Sequence, residues 1–175
     1  MNLKTYVELS ERTLIDKGQT MNLLHAQMGI MTECGELADQ IKRHLFYGTE
    51  LDIVNIKEEI GDIMWYIAIL FRRDKINTLR LRQNFDTDIK DLPEVFEALT
   101  SIIALSQDLH EYEVSENIFY ELLCITKYFK LDMEDILEIS INKLLARFPD
   151  KFSEHHAVNR DLNKERQVLE GIVNE

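Results

Sequence analysis

The chain has 175 residues, enough for one domain with a sizeable core, and its 45% hydrophobic and 30% charged residues are ordinary for a soluble globular protein. A net charge of −12 argues against a bare nucleic-acid polymer as partner unless metal ions intervene, and no run of about 18 apolar residues exists to span a membrane. Six glycines and two prolines, Pro93 and Pro149, favour long helices over a β-sandwich. The opening MNLKTYVELSERT lacks the apolar stretch of a secretory signal, so a cytoplasmic protein is expected. Cys34 and Cys124 are far apart and match no CxxC pattern, which fits buried thiols in a reducing compartment.

Taken in chain order, periodicity predicts six or seven helices and no strand. The first covers about 3–16 and breaks at Lys17-Gly18-Gln19, where Thr20 is placed to cap the second. The second covers about 21–47 and stops at Gly48. Asp52 caps a third over about 53–74. Residues 75–94 are polar and weakly periodic, and read as partly irregular. Pro93 suits the first turn of a helix reaching about 109. Ser115 is expected to cap a helix to about 129, and Asp132 or Asp135 another that ends before Pro149. The tail, about 159–174, reads as one last helix, suited to docking on a partner subunit.

Two of these helices carry paired acids. At about 100° per residue, His25, Gly29, Glu33, Glu36, Gln40 and Arg43 fall on one narrow stripe of the second helix. Leu24, Met28, Ile30, Met31, Cys34, Leu37, Ala38, Ile41 and Leu45 cover about half of the rest, which predicts heavy burial. On the third helix Ile56, Ile60, Ile63, Ile67 and Leu70 form one ridge, edged by Glu59, Asp62 and Tyr66. The short turn between the helices makes them antiparallel neighbours. If the ridges pack, four carboxylates face one space. Such a group repels itself and raises its own pKa values unless a cation is present. Hard divalent ions, Mg²⁺ or else Mn²⁺, prefer such oxygen ligands. No histidine stands at ExxH spacing, which argues against a di-iron bundle. The bland alternative is two solvated acidic faces on a non-catalytic helical interaction or regulatory module.

TECGEL followed by EEIGDIMWY resembles the MazG-like, all-α nucleoside triphosphate pyrophosphohydrolases, whose pattern is ExxE, a spacer, then ExxD. Glu33, Glu36, Glu59 and Asp62 carry it here. ISINKLLARFPDKF is similar to the stretch that closes the site in many members, and NRDLNKERQVLE is like the tail of phage-type members. The likeness covers about 22–71 and 131–170.

The resemblance implies an all-α fold, an antiparallel helical bundle in one domain over 1–175. Its core would be about 20–74 and 131–150, with an inserted helical segment over about 75–130 and a helical tail over about 159–174. It implies cleavage of a nucleoside triphosphate between the α- and β-phosphates, with Mg²⁺ held by Glu33, Glu36, Glu59 and Asp62, in a homodimer or homotetramer. Glu36 or Glu33 would act as general base on a water made acidic by the metal. Tyr66 would lie near the sugar or base, or else serve as a core tyrosine. Asn142 and Lys143 would approach the nucleotide as a pair, Lys143 offering its ammonium to the phosphates, and Arg147 is a weaker phosphate candidate. His25, by its stripe, reads either as a base or phosphate contact or as a satisfied buried histidine. Trp65 points away from Glu59 on the wheel and reads as packing. Glu58 either supports the metal ligands from behind or lies exposed. His155 and His156 fit a surface loop better than a metal site.

Overall fold

The computed structural model describes residues 1–75 and 88–172, without the side chain of Tyr112. Among them are eight α-helices and no strand: α1 (Leu3–Ser10), α2 (Gln19–Tyr47), α3 (Ile53–Asp74), α4 (Leu92–Leu105), α5 (Tyr112–Tyr128), α6 (Met133–Arg147), α7 (Glu154–Val158) and α8 (Leu162–Leu169). The all-α expectation holds, and no helix among the described residues is long and apolar enough to cross a membrane. Most of the stretch read as partly irregular, residues 76–87, lies outside the described residues.

Local chemistry explains the helix bounds. α3 begins where the Asp52 carboxylate accepts from the N–H groups of Val54 and Asn55, at 3.0 and 3.2 Å. α2 ends at Gly48, whose φ of 68° is left-handed. It starts earlier than expected, and Thr20 is not its cap. Asp16 Oδ1 instead accepts from the Gly18 N–H and from Asn22 Nδ2, which fixes the entry turn. α1 is shorter than expected. The Thr13 hydroxyl donates to the Ser10 carbonyl at 2.8 Å and tightens the chain into a 3₁₀ turn over Glu11–Thr13.

Further along, Asp91 caps α4 with Pro93 in its first turn, and the helix gives way at Ser106 to another 3₁₀ turn. Ser115 is not a cap: it lies inside α5, buried, and its hydroxyl donates to Asp74 Oδ2 at 2.8 Å. Asp132 caps α6. The tail is not a single helix; α7 and α8 are separate, with Asp161 capping the latter.

The α2–α3 hairpin is the centre of the packing. Ile56, Ile60, Ile63, Ile67 and Leu70 are completely buried, as the ridge predicted. α4 and α5 pack against each other and cover one side of the hairpin, while α1 and α6 pack on α3, and α8 on α6. Gly61 marks the approach of α6 to α3: a Cβ there would stand 3.0 Å from Ser140 Cβ. The buried Tyr6 hydroxyl donates to the Gly61 carbonyl at 3.3 Å and lies 3.3 Å from Ser140 Oγ. Three helices are thus locked together one residue before Asp62. The broad burial expected of α2 is corrected. Leu23, Ala26, Ile30, Cys34, Leu37 and Ile41 are buried, whereas Leu24, Met28, Met31 and Leu45 are exposed, because helices cover α2 on one side only.

Candidate active site

Glu33 and Glu36 come from the middle of α2, and Glu59 and Asp62 from the facing part of α3. All four line one cavity of about 370 Å³, within the range of roughly 300–1,000 Å³ usual for small-ligand pockets. Carboxylate oxygens of Glu33, Glu59 and Asp62 lie within 4.8 Å of one another. Glu36 stands beside this trio and also lines a neighbouring hollow with Arg43, Asp52 and Asn55. Among the described residues no other group of three or more potential ligands is so close. His155 and His156, exposed on the short helix α7, stack edge to face at 5.5 Å between ring centres and are not part of the carboxylate group.

The charges of the trio are mutually unfavourable. Burial, then the charges of Asp62 and Glu36, raises the Glu33 carboxyl to about 7. Burial, then Glu36, Asp62 and their neighbours, raises Glu59 to about 8. Asn55 Nδ2 donates to Glu59 Oε1 at 2.6 Å, and the Thr32 hydroxyl to Glu33 Oε1 at 3.2 Å, so both carboxylates are aimed by neighbours on their own helices. Three oxygens at this spacing, all carboxylate, make a donor set suited to a hard divalent cation.

Lys143 reaches the site from α6. Its side chain is 1% exposed, and Nζ lies 2.6 Å from both Asp62 oxygens and 3.2 Å from Glu58 Oε1. Glu58 is therefore neither exposed nor remote; it helps hold the ammonium against Asp62. Asn142 is about 100° round the helix from Lys143 and lines a different hollow, with Glu138 and Lys164.

Aromatic side chains line the same cavity. His25, Trp65 and Tyr66 pack edge to face, with centroid separations of 5.0–5.7 Å. The Tyr66 ring lies directly on Gly29, where a Cβ would come within 2.0 Å of it. Burial, then Glu33 and Asp62, pushes the Tyr66 hydroxyl up to about 12. Burial holds the His25 imidazole below its usual value, helped by Lys17. Trp65 does not serve as packing alone: its ring lines the cavity, and Nε1 donates to Thr13 Oγ1 at 2.8 Å. The segment after α1 folds across that side of α3 and brings Thr13 to it, which a helical wheel of α3 alone does not contain. Phe148, Phe152 and Arg160 also line the cavity and escaped the sequence reading. All three fall in the stretches that carry the family resemblance, 139–152 and 159–170, but no spacing within those stretches singles them out. Arg147 itself lines the cavity and is bound by Glu165 of α8.

Residues 22–101, short of half the chain, match the model of the MazG nucleotide pyrophosphohydrolase domain. That stretch spans α2, α3 and much of α4, and contains Glu33, Glu36, Glu59 and Asp62. No curated protein and no solved structure matches the chain significantly.

Proposed function

We propose that the protein is a Mg²⁺-dependent nucleoside triphosphate pyrophosphohydrolase, converting a (d)NTP and water to the monophosphate and pyrophosphate. One observation carries this reading: Glu33, Glu59 and Asp62 converge within 4.8 Å in a cavity that His25, Trp65 and Tyr66 also line. The match over residues 22–101 supports it.

The donor set fits the metal. Partly buried carboxylates that repel one another, two of them raised to about 7 and about 8, are what a divalent cation relieves. Glu33, Glu59 and Asp62, joined by Glu36, would hold the ion, Mg²⁺ or alternatively Mn²⁺. When bound, it supplies Lewis-acid chemistry, offsetting the charge of carboxylates and phosphates and acidifying water. Of the two candidates for general base, Glu36 is favoured over Glu33. It lines the cavity but stands outside the close trio, so of the four carboxylates it would have an oxygen to spare for the proton of the attacking water. The edge-to-face cluster of His25, Trp65 and Tyr66 suits a nucleobase and sugar. Of the cations, Arg147 lines the cavity and is placed for phosphates; Lys143, buried against Asp62 and Glu58, would act through Asp62 instead, and Asn142, facing another hollow, is left out of this role.

The same reading places the enzyme in the cytoplasm as a homodimer or homotetramer. Met21, Leu24, Met28 and Met31 form an exposed apolar stripe along α2, which supports self-association. The test is pyrophosphate release from a panel of (d)NTPs with Mg²⁺. Turnover lost in Glu36→Gln and Asp62→Asn, with folding intact, is the expected result. A folded sample that cleaves no nucleotide contradicts the proposal.

A further inference from the structure

The tail of the chain reaches the site through a single carboxylate. Glu165 of α8 is 3% exposed, although six of the eight residues of its helix are exposed or only partly covered. Its Oε1 accepts from Arg147 Nε at 2.8 Å, and its Oε2 accepts from Arg147 Nη2 at 2.5 Å and from Arg160 Nη2 at 2.7 Å. Arg147 closes α6, and Arg160 lies in the link between α7 and α8. Both arginines line the acidic cavity, and Glu165 itself does not.

The cavity therefore holds its charges sorted. Glu33, Glu36, Glu59 and Asp62 stand on α2 and α3, and two arginines, one ending α6 and one in the segment after it, are tied to an acid outside the cavity. Sorting of this kind needs an anchor. Burial would lower the Arg160 guanidinium, but its bond to Glu165 and the charges of Glu165, Asp62 and Glu58 outweigh that. Arg160 thus already feels the carboxylates across the cavity. Without Glu165, both arginines would be drawn onto them, because an opposite charge at short range is strongly favoured in a partly desolvated site. Glu165 stays ionised to hold them. Burial alone would raise its carboxyl, and the hydrogen bonds and charges of Arg147 and Arg160 bring it down to about 2.

We infer that Glu165 is a positioning residue: it holds Arg147 and Arg160 as a fixed cation pair facing the cavity, so that they meet the polyphosphate of a ligand instead of collapsing onto the carboxylates. The identity of that ligand rests on the nucleotide reading above; the arrangement itself can be tested without turnover. A fixed pair spends less ordering entropy per contact than two mobile side chains, and Arg presents its donors in a fork that matches phosphate oxygens.

The experiment is calorimetric binding of inorganic tripolyphosphate with Mg²⁺ to the full chain and to Glu165→Gln, Glu165→Asp and Arg160→Gln. Wild type binds, and Glu165→Gln and Arg160→Gln each weaken binding by about tenfold or more. Glu165→Asp stays within about threefold of wild type, because its carboxylate retains the charge that holds both guanidiniums. In turnover, Glu165→Gln raises KM by about tenfold and leaves kcat within about threefold. A merely structural role would lower the melting temperature and leave the KM of the folded fraction unchanged. If Glu165→Gln does not fold, Arg160→Gln decides, since that side chain is 38% exposed and makes one bond to Glu165. Binding within about twofold of wild type in the folded variants, or a wild type that binds no tripolyphosphate, overturns the inference. A wild type that cleaves no nucleotide yet binds tripolyphosphate through Arg160 and Glu165 overturns the enzymatic reading and leaves this one standing.

Discussion

Lys143 Nζ lies 2.6 Å from each carboxylate oxygen of Asp62, and no more than 1% of its side chain is exposed. A buried ammonium thus sits against one of the three clustered carboxylates, with Glu58 Oε1 on its other side at 3.2 Å. Two helices far apart in the chain, α3 and α6, are joined by this charge.

Replacing Lys143 by Met leaves Asp62 and Glu58 without their cation in a place largely closed to water. Removing one member of a buried pair costs about 3–5 kcal/mol, and the partial exposure of the two acids puts this case near the lower end. The expected result is a large drop in melting temperature in EDTA, partly restored by Mg²⁺. Unchanged melting in EDTA would show that the ammonium does not hold these helices together.

The two raised carboxyls set a pH dependence. Glu33 and Glu59 titrate near 4.5 when unperturbed, and at about 7 and about 8 in the folded chain. The folded state therefore retains protons that the unfolded chain has released. Their contribution to stability is full below the unfolded value and is lost as pH rises through the two folded values. Melting followed in EDTA from pH 5.5 to 8.5 should show falling stability, and saturating Mg²⁺ should flatten the fall by favouring the ionised form. A flat or rising profile in EDTA contradicts the mutual repulsion.

Gly29 is fixed by a contact. Alanine there would put a methyl carbon 2.0 Å from Tyr66 Cζ, so the ring must move, and His25 and Trp65 crowd it. Overpacking of this kind costs about 1–3 kcal/mol. Gly29→Ala is expected to lower stability by that order and to raise KM for nucleotide while circular dichroism stays helical. Wild-type values of both would mean that the ring does not rest on this glycine.

The hairpin was legible because its signals are local. Asp52 caps α3 within three residues of itself, Gly48 ends α2, and ExxE and ExxD recur at helical spacing beside an apolar ridge. What escaped depends on chain segments brought from elsewhere. Glu165 is an ordinary acid on a polar helix until Arg147 and Arg160 fold against it. Trp65 is turned from packing to lining by Thr13 of the segment after α1. Ser115 reads as a cap because serine favours that role, but Asp74, forty-one positions earlier, takes its hydroxyl. Met28 and Met31 read as core because their hydrophobicity is visible in sequence, whereas the absence of a covering helix is not.

Trp65 is the only tryptophan in the chain and lines the cavity beside His25 and Tyr66. Its fluorescence is therefore a direct reporter of occupancy. A non-hydrolysable nucleoside triphosphate with Mg²⁺ should change its intensity or emission maximum in a saturable way. A nucleotide that binds by calorimetry and leaves the emission untouched would place the base elsewhere.

The most direct test of the account is ³¹P NMR of the products formed from a cleaved nucleoside triphosphate in ¹⁸O-labelled water with Mg²⁺. Attack at the α-phosphorus predicts nucleoside monophosphate carrying the label and unlabelled pyrophosphate, with neither product formed by Glu36→Gln. Label in the pyrophosphate, or diphosphate and inorganic phosphate as the products, would contradict it.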